Sequence, residues 1–118
     1  MACKDFIRLR LTGAALTDPS DASGGGLMDL AAGGYAQALF DALGQPNLTD
    51  KLPPIAENSA IAGRVSPQAA AETGLPEGLP VAGGMMDVAA CALGAGVTDG
   101  TSLVMIAGTW AINGMEVS

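Results

Sequence analysis

The stretch Pro80-Val81-Ala82-Gly83-Gly84-Met85-Met86-Asp87-Val88-Ala89-Ala90-Cys91-Ala92-Leu93-Gly94-Ala95-Gly96 sets one carboxylate, Asp87, among small and apolar neighbours. The short apolar run before the double glycine predicts a brief strand over residues 79–83, and the Ala-rich segment after it predicts a helix over 87–95. Ser102-Leu103-Val104-Met105-Ile106-Ala107-Gly108-Thr109 follows, with the composition of a buried strand that delivers backbone amides and a hydroxyl to a ligand. Together these two segments suggest an acid beside a phosphate-accepting turn.

Working downstream, Asn113-Gly114 sits between Trp110-Ala111-Ile112 and Met115-Glu116-Val117, a two-residue hairpin signal. Upstream, Ser66-Pro67 reads as an N-cap with proline at the first helical position, and Gly74 as the stop of a helix over 67–73. Residues 60–65 form a possible short strand, and Leu52-Pro53-Pro54 breaks any regular pattern. A helix is expected from Tyr35, with Tyr35, Leu39 and Leu43 on one face, Ala36 and Phe40 widening it, and Gly44 ending it. Leu27, Met28 and Leu30 suggest a short strand ending near Gly33-Gly34. The segment from Lys4 to Leu11 fits a helix or an alternating strand equally well, with Thr12-Gly13 closing it. Between Leu16 and Ser23 lies a turn rich in Asp, Ser and Thr, and Pro19 drives Asp18 toward extended backbone.

At 118 residues the chain has the length of one ordinary domain, able to bury roughly two thirds of its unfolded surface. One Trp, one Tyr and two Phe leave the core to aliphatic residues, while 17 glycines add backbone entropy that folding must overcome. Marginal stability in isolation is the expectation. Five basic against twelve acidic residues give a net charge of −7, which argues against nucleic acid or an anionic membrane as partner. Any phosphate must then be held by local amides and metal. No apolar run reaches the roughly 20 residues of a membrane helix, and the charged N-terminal segment does not read as a signal peptide. A cytoplasmic location is the default.

Histidine is absent, so Ser-His and Cys-His nucleophile pairs are excluded. Cys3 and Cys91 are far apart and form no zinc-binding pair; Cys91, in its Ala-rich setting, reads as a small buried hydrophobe. Asp87 admits two readings: a general base presented at a helix N-terminus, or an ordinary helix cap. Gly108-Thr109 likewise reads as a phosphate-binding turn or as a kink where a strand bends. Thr17, Asp18, Ser20, Asp21 and Ser23 read as a polyol or Mg²⁺ site, or as a turn that satisfies itself. Gly94-x-Gly96 lacks the full dinucleotide-binding fingerprint.

Taken in order, the segments resemble the FGGY family of carbohydrate kinases. The resemblance rests on Lys4-Asp5-Phe6-Ile7-Arg8-Leu9-Arg10-Leu11-Thr12-Gly13, Thr17-Asp18-Pro19-Ser20-Asp21-Ala22-Ser23-Gly24, Leu52-Pro53-Pro54, Gly63-Arg64-Val65, Thr73-Gly74-Leu75-Pro76-Glu77-Gly78 and Pro80-Val81. It covers nearly the whole chain from Lys4 onward.

What the resemblance implies is an α/β fold, part of an actin-like, ribonuclease-H-like ATPase domain with a mixed sheet and flanking helices, of which this chain is a single partial domain, the later part of the first domain. It makes Asp87 the catalytic base and sugar-contacting residue, and Gly108 and Thr109 a phosphate-contacting turn. ATP and Mg²⁺ are the implied cofactors of the complete enzyme, a ketopentose the implied sugar. Met85-Met86 and Trp110 depart from the commoner residues of the family and point toward its ketopentose branch. The family's first phosphate loop, an Asp-x-Gly-Thr segment, is not in this sequence, nor is the second domain with the adenosine site. The chain alone is therefore expected to be inactive and to need the missing kinase segments, or self-association, to cover its open sheet. A non-catalytic interaction module with a kinase-like fold is the competing expectation.

Overall fold

Helix α1, Cys3–Thr12, resolves the first ambiguity in favour of a helix, and its burial pattern explains why apolar periodicity failed to decide. Asp5 and Arg8 are its buried residues, whereas Phe6 and Ile7 are about half exposed. The face turned inward is charged. Gly13 ends the helix in the left-handed conformation, φ 76°, and its N–H donates to the Leu9 carbonyl. The computed structural model describes residues 1–108 and 111–115, and it divides into two compact units, Met1–Met85 and Met86–Ser118.

In the first unit, Asp18 caps helix α2, Pro19–Gly24, accepting from the amides of Ser20 and Asp21. Pro19 occupies the first helical position, where its missing N–H leaves nothing unsatisfied. Just before the cap, Thr17 forms a parallel bridge with Ile55 through hydrogen bonds of 3.0 and 2.8 Å to Pro54 and Ala56. Strands β1, Met28–Asp29, and β2, Gly34–Tyr35, make a minimal hairpin. The Asp29 carboxylate closes its turn by accepting from Ala31 and Ala32.

Helix α3, Gln37–Ala42, begins later than expected, because Tyr35 is taken up by β2. Its buried residue is Phe40, fully covered, while Leu39 and Leu43 of the expected face are exposed. The anchor is therefore one position away from the anticipated stripe. Tyr35 reaches the same core from the strand, its ring centroid 6.4 Å from that of Phe40 and tilted by 45°.

After a 3-10 turn at Thr49–Lys51, strand β3, Ile61–Arg64, pairs antiparallel with β4, Pro80–Ala82. Helix α4, Pro67–Thr73, lies between them in sequence with the expected signals: the Ser66 hydroxyl accepts from the Ala69 amide at 3.1 Å, and Gly74 ends it at φ 76°. Gly63 sits where a Cβ would stand 2.7 Å from Cβ of Thr12, so the end of α1 lies directly on β3. The core is built of Ala22, Phe40, Ala62, Val65 and Ala69, small apart from the one ring.

The second unit holds helix α5, Asp87–Gly94, and strands β5, Leu103–Ala107, and β6, Ala111–Met115. The strands pair antiparallel in register from Leu103↔Met115 to Ala107↔Ala111. Asn113-Gly114 therefore lies inside β6, and the hairpin expected there is corrected. A turn at that point would leave strands of about three residues, whereas the observed register pairs five residues on each side.

Nor is β5 a buried strand: Leu103, Met105 and Ala107 are exposed and alternate with half-buried neighbours. Cys91 is exposed as well, correcting the expectation of a buried hydrophobe. The mixed sheet is narrowed in the same way. Among the described residues the strands form three separate antiparallel pairs, with parallel pairing confined to the Thr17–Ile55 bridge.

Candidate functional site

The residues brought together most tightly are ionic, and most of them were not singled out by sequence. Lys4, on the first turn of α1, reaches three carboxylates with its Nζ: Asp5 at 2.8 Å, Asp21 at 2.6 Å, and Asp18 in a short contact. Asp18 is completely buried and Asp5 nearly so. Arg8, one turn along the same helix face, donates to Asp5 at 2.9 Å and to the carbonyls of Leu16 and Gly83. Asn58 completes the set, its Nδ2 donating to Asp18 at 3.1 Å and to the Gly84 carbonyl at 2.9 Å.

Burial on this scale is tolerated only because every charge is paired, since an isolated ion in such a place would cost several kcal/mol. Desolvation by burial works against the Lys4 ammonium, yet the hydrogen bonds to Asp18, Asp21 and Asp5 outweigh it and hold its pKa above the ordinary lysine value. Desolvation likewise opposes the Asp18 carboxylate, and the bonds from Lys4, Ser20 and the Asp21 amide overcome it to bring that pKa below the usual range. For Tyr35, burial and the Asp5 charge both raise the phenol pKa. Its hydroxyl donates to the Pro53 carbonyl at 2.5 Å.

This geometry decides between the two readings of the Thr17–Ser23 segment. Asp18 is spent on the amides and hydroxyl of its own turn, on Lys4 and on Asn58, and Ser23 donates to the Ser20 carbonyl at 3.2 Å. A turn that satisfies itself is what the chain builds. Ligand oxygens of Asp5, Asp18 and Asp21 do lie within 4.8 Å of one another, a spacing compatible with a cation. The Lys4 ammonium already bonds to all three, so the cluster does not fit Mg²⁺. A cavity of about 330 Å³ opens beside it, lined by Asp5, Asp21, Tyr35, Lys51 and Pro53 among others.

Asp87 belongs to the second unit. It is the first residue of α5, exposed, and its Oδ1 accepts from the Val88 amide at 2.7 Å. The N-cap position belongs to Met86, so Asp87 lies within the first turn, where a negative charge complements the helix dipole. Gly108 is an exposed bend directly after β5. Thr109 lies outside the described residues.

Lys4, Arg8 and Asn58 escaped sequence reasoning because their partners are distant in the chain. The one local signal was Lys4-Asp5-x-x-Arg8, whose spacing puts Asp5 and Arg8 on one side of a helix as an i,i+3 pair. Nothing in that spacing says that the side is buried.

Residues 1–94 match the FGGY family of carbohydrate kinases, N-terminal domain. The L-xylulose/3-keto-L-gulonate kinase of Escherichia coli K12 is 38% identical over 112 residues, 95% of this chain and 22% of that protein. An erythritol kinase of Brucella abortus is 42% identical over 100 residues, 85% of this chain and 19% of that one. Among solved structures, xylulose kinase from Rhodospirillum rubrum is similar with a TM-score of 0.74 at 39% identity, over 86% of this chain and 21% of that chain. The chain thus spans about a fifth of the length of the relatives it matches.

Proposed function

Because the chain belongs to the FGGY family of carbohydrate kinases, with the actin-like ATPase fold of that family, we propose that it forms the later part of the first domain of an ATP-dependent sugar kinase. In this reading Asp87 is the catalytic base. The carrying observation is the similarity to the L-xylulose/3-keto-L-gulonate kinase along 95% of the chain, which includes the Gly83-Gly84-Met85-Met86-Asp87 segment.

The exposed Asp87 carboxylate, at the first turn of α5, takes the proton of a sugar hydroxyl as that oxygen attacks the γ-phosphorus of ATP and the bond from that phosphorus to the bridging oxygen breaks, releasing ADP. Its hydrogen bond from the Val88 amide holds the side chain near the helix N-terminus. ATP, when bound, supplies the electrophilic phosphoryl group. Gly108, exposed at the end of β5, together with Thr109, offers backbone and hydroxyl groups to its phosphates. The buried acidic cluster takes no part in metal chemistry, since Lys4 occupies it.

A ketopentose is the substrate class we favour, on the strength of the relatives named for L-xylulose and xylulose. The alternative class is a polyol such as that named by the erythritol kinase, which shares a comparable identity. Catalysis requires both substrates to be positioned together. With the chain spanning 22% of its relative's length, the 118 residues alone are inactive in this reading.

The test grafts this segment onto the corresponding region of the Escherichia coli L-xylulose/3-keto-L-gulonate kinase and measures ATP-dependent phosphorylation of L-xylulose. The expected result is an active chimera whose kcat drops by about 10²- to 10⁴-fold with Asp87→Asn, and no turnover by the 118-residue chain. An Asp87→Asn chimera that keeps kcat within a factor of about three of its parent overturns the assignment. A folded but inactive chimera, combined with a discrete homodimer of the 118-residue chain, would favour the interaction-module reading, which the exposed apolar residues Phe6, Ile7, Leu103 and Met105 recommend.

A further inference from the structure

The backbone of Gly83-Gly84 is held at every polar atom. The Gly83 amide donates to the Ala60 carbonyl at 2.9 Å, and the Gly84 amide donates to the Asn58 carbonyl at 2.9 Å. The Gly83 carbonyl accepts from Arg8 and the Gly84 carbonyl from the Asn58 side chain at 2.9 Å. Both glycines are required by this arrangement. A Cβ on Gly83 would stand 2.6 Å from the Glu57 carbonyl oxygen, a backbone atom that cannot swing away, and Gly84 has φ 79°.

From this point only Met85 and Met86 separate the chain from Asp87. The two donors are themselves fixed. Arg8 is 3% exposed and tied to Asp5 and Leu16, and Asn58 is tied to Asp18, the carboxylate that Lys4 and the α2 cap share. We infer that Arg8 and Asn58 are positioning residues for Asp87, fixing the turn from which the base-bearing segment departs; this rests on Asp87 being the base. Nothing in their contacts calls for a touch on sugar or ATP. They act by narrowing the range of conformations from which the carboxylate must reach the reacting hydroxyl, and a misplacement of about 1 Å can cost on the order of 10²-fold in rate.

A double-mutant cycle in the active chimera described above tests this. Asn58→Ala removes the side-chain bond to Gly84 and leaves the backbone bond from the Gly84 amide, and Arg8→Lys keeps the charge while losing the fork that spans two carbonyls. Each is expected to lower kcat about 10- to 100-fold with KM for ATP within about threefold, after correction for the folded fraction by urea titration. In an Asp87→Asn background the same substitutions are expected to cost less than about threefold, because there is no base left to misplace.

Equal losses in the two backgrounds mean a purely structural role and overturn the inference. So does an Asn58→Ala chimera with unchanged kcat. Should Arg8→Lys fail to fold, Asn58→Ala and Asn58→Asp carry the test, since Asn58 is only partly buried. Failure of the underlying assignment gives a different signature: Asp87→Asn alone would then leave kcat intact, which overturns both claims.

Discussion

The two units of this chain are organised on opposite principles. The first buries charge: Asp5, Arg8 and Asp18 lie inside together with a small apolar core around Phe40. The second buries nothing among its described residues, and turns Leu93, Leu103, Met105 and Met115 to solvent. In the first unit, specificity comes from ion pairs and caps whose partners must all be present. The second is specified by backbone pairing in a five-residue ladder, with apolar faces left over. The candidate base thus belongs to the unit with the fewer buried side chains.

The largest test of this contrast is Lys4→Met. It leaves three carboxylates close to one another, of which Asp5 keeps its pairing to Arg8 while Asp18 and Asp21 lose their ammonium partner. Breaking a buried ionic cluster in this way is expected to cost about 3–5 kcal/mol, read by urea denaturation of the 118-residue chain. A loss under about 1 kcal/mol would show that the first unit does not depend on its buried charges.

Next in size is the pH dependence of the same unfolding midpoint. Asp18 has a lowered pKa in the folded chain, so its contribution is present above the ordinary value near 3.8 and is lost as pH falls through the lower folded value. Lys4 has a raised pKa, so its contribution is complete below the ordinary value of 10.5 and is lost as pH rises through the folded value; Tyr35, also raised, adds a loss of the same sign from about pH 10.0. Stability is therefore expected to be flat between these limits with respect to these groups. Asp18→Asn should flatten the acid limb, and Lys4→Met should shrink the alkaline one. An acid limb unchanged by Asp18→Asn would remove Asp18 from the account.

The smallest expected effect belongs to the second unit. Leu103→Ser and Met105→Ser, at positions 61% and 68% exposed, should each change unfolding free energy by no more than about 0.5 kcal/mol. A loss above 2 kcal/mol from either would mean that the apolar face of β5 is covered in solution, and the contrast between the units would dissolve.

How far the sequence could be read follows the range of the interactions involved. Helix α4 was legible to the residue, because Ser66, Pro67 and Gly74 are local signals whose physics does not depend on the rest of the fold. The Asp18-Pro19 start of α2 was read as a turn for the same reason. At α3 the helix was legible but its buried side was not, since β2 claimed Tyr35 and left Phe40 as the anchor. Asn113-Gly114 misled because a dipeptide preference is weaker than the pairing of a longer ladder.

The buried network was invisible at this level. Asp18 and Asp21 stand out in sequence as members of a polar turn, but nothing local ties them to Lys4, Arg8 and Asn58 until the fold gathers them. As for Asp87, its place at the start of a helix was foreseen, but the cap position one residue earlier was not.

One of these bonds also constrains the order of events during folding. Arg8 and Gly83 are 75 positions apart, and Asn58 and Asp18 are 40 apart. As the chain leaves the ribosome, α1 emerges with a guanidinium whose carbonyl acceptor is not yet made, and desolvating it early would leave that donor orphaned. The first unit thus has reason to stay open until β4 has been synthesised and then to close in one concerted, high-contact-order step, with slow folding relative to its size as the expected consequence.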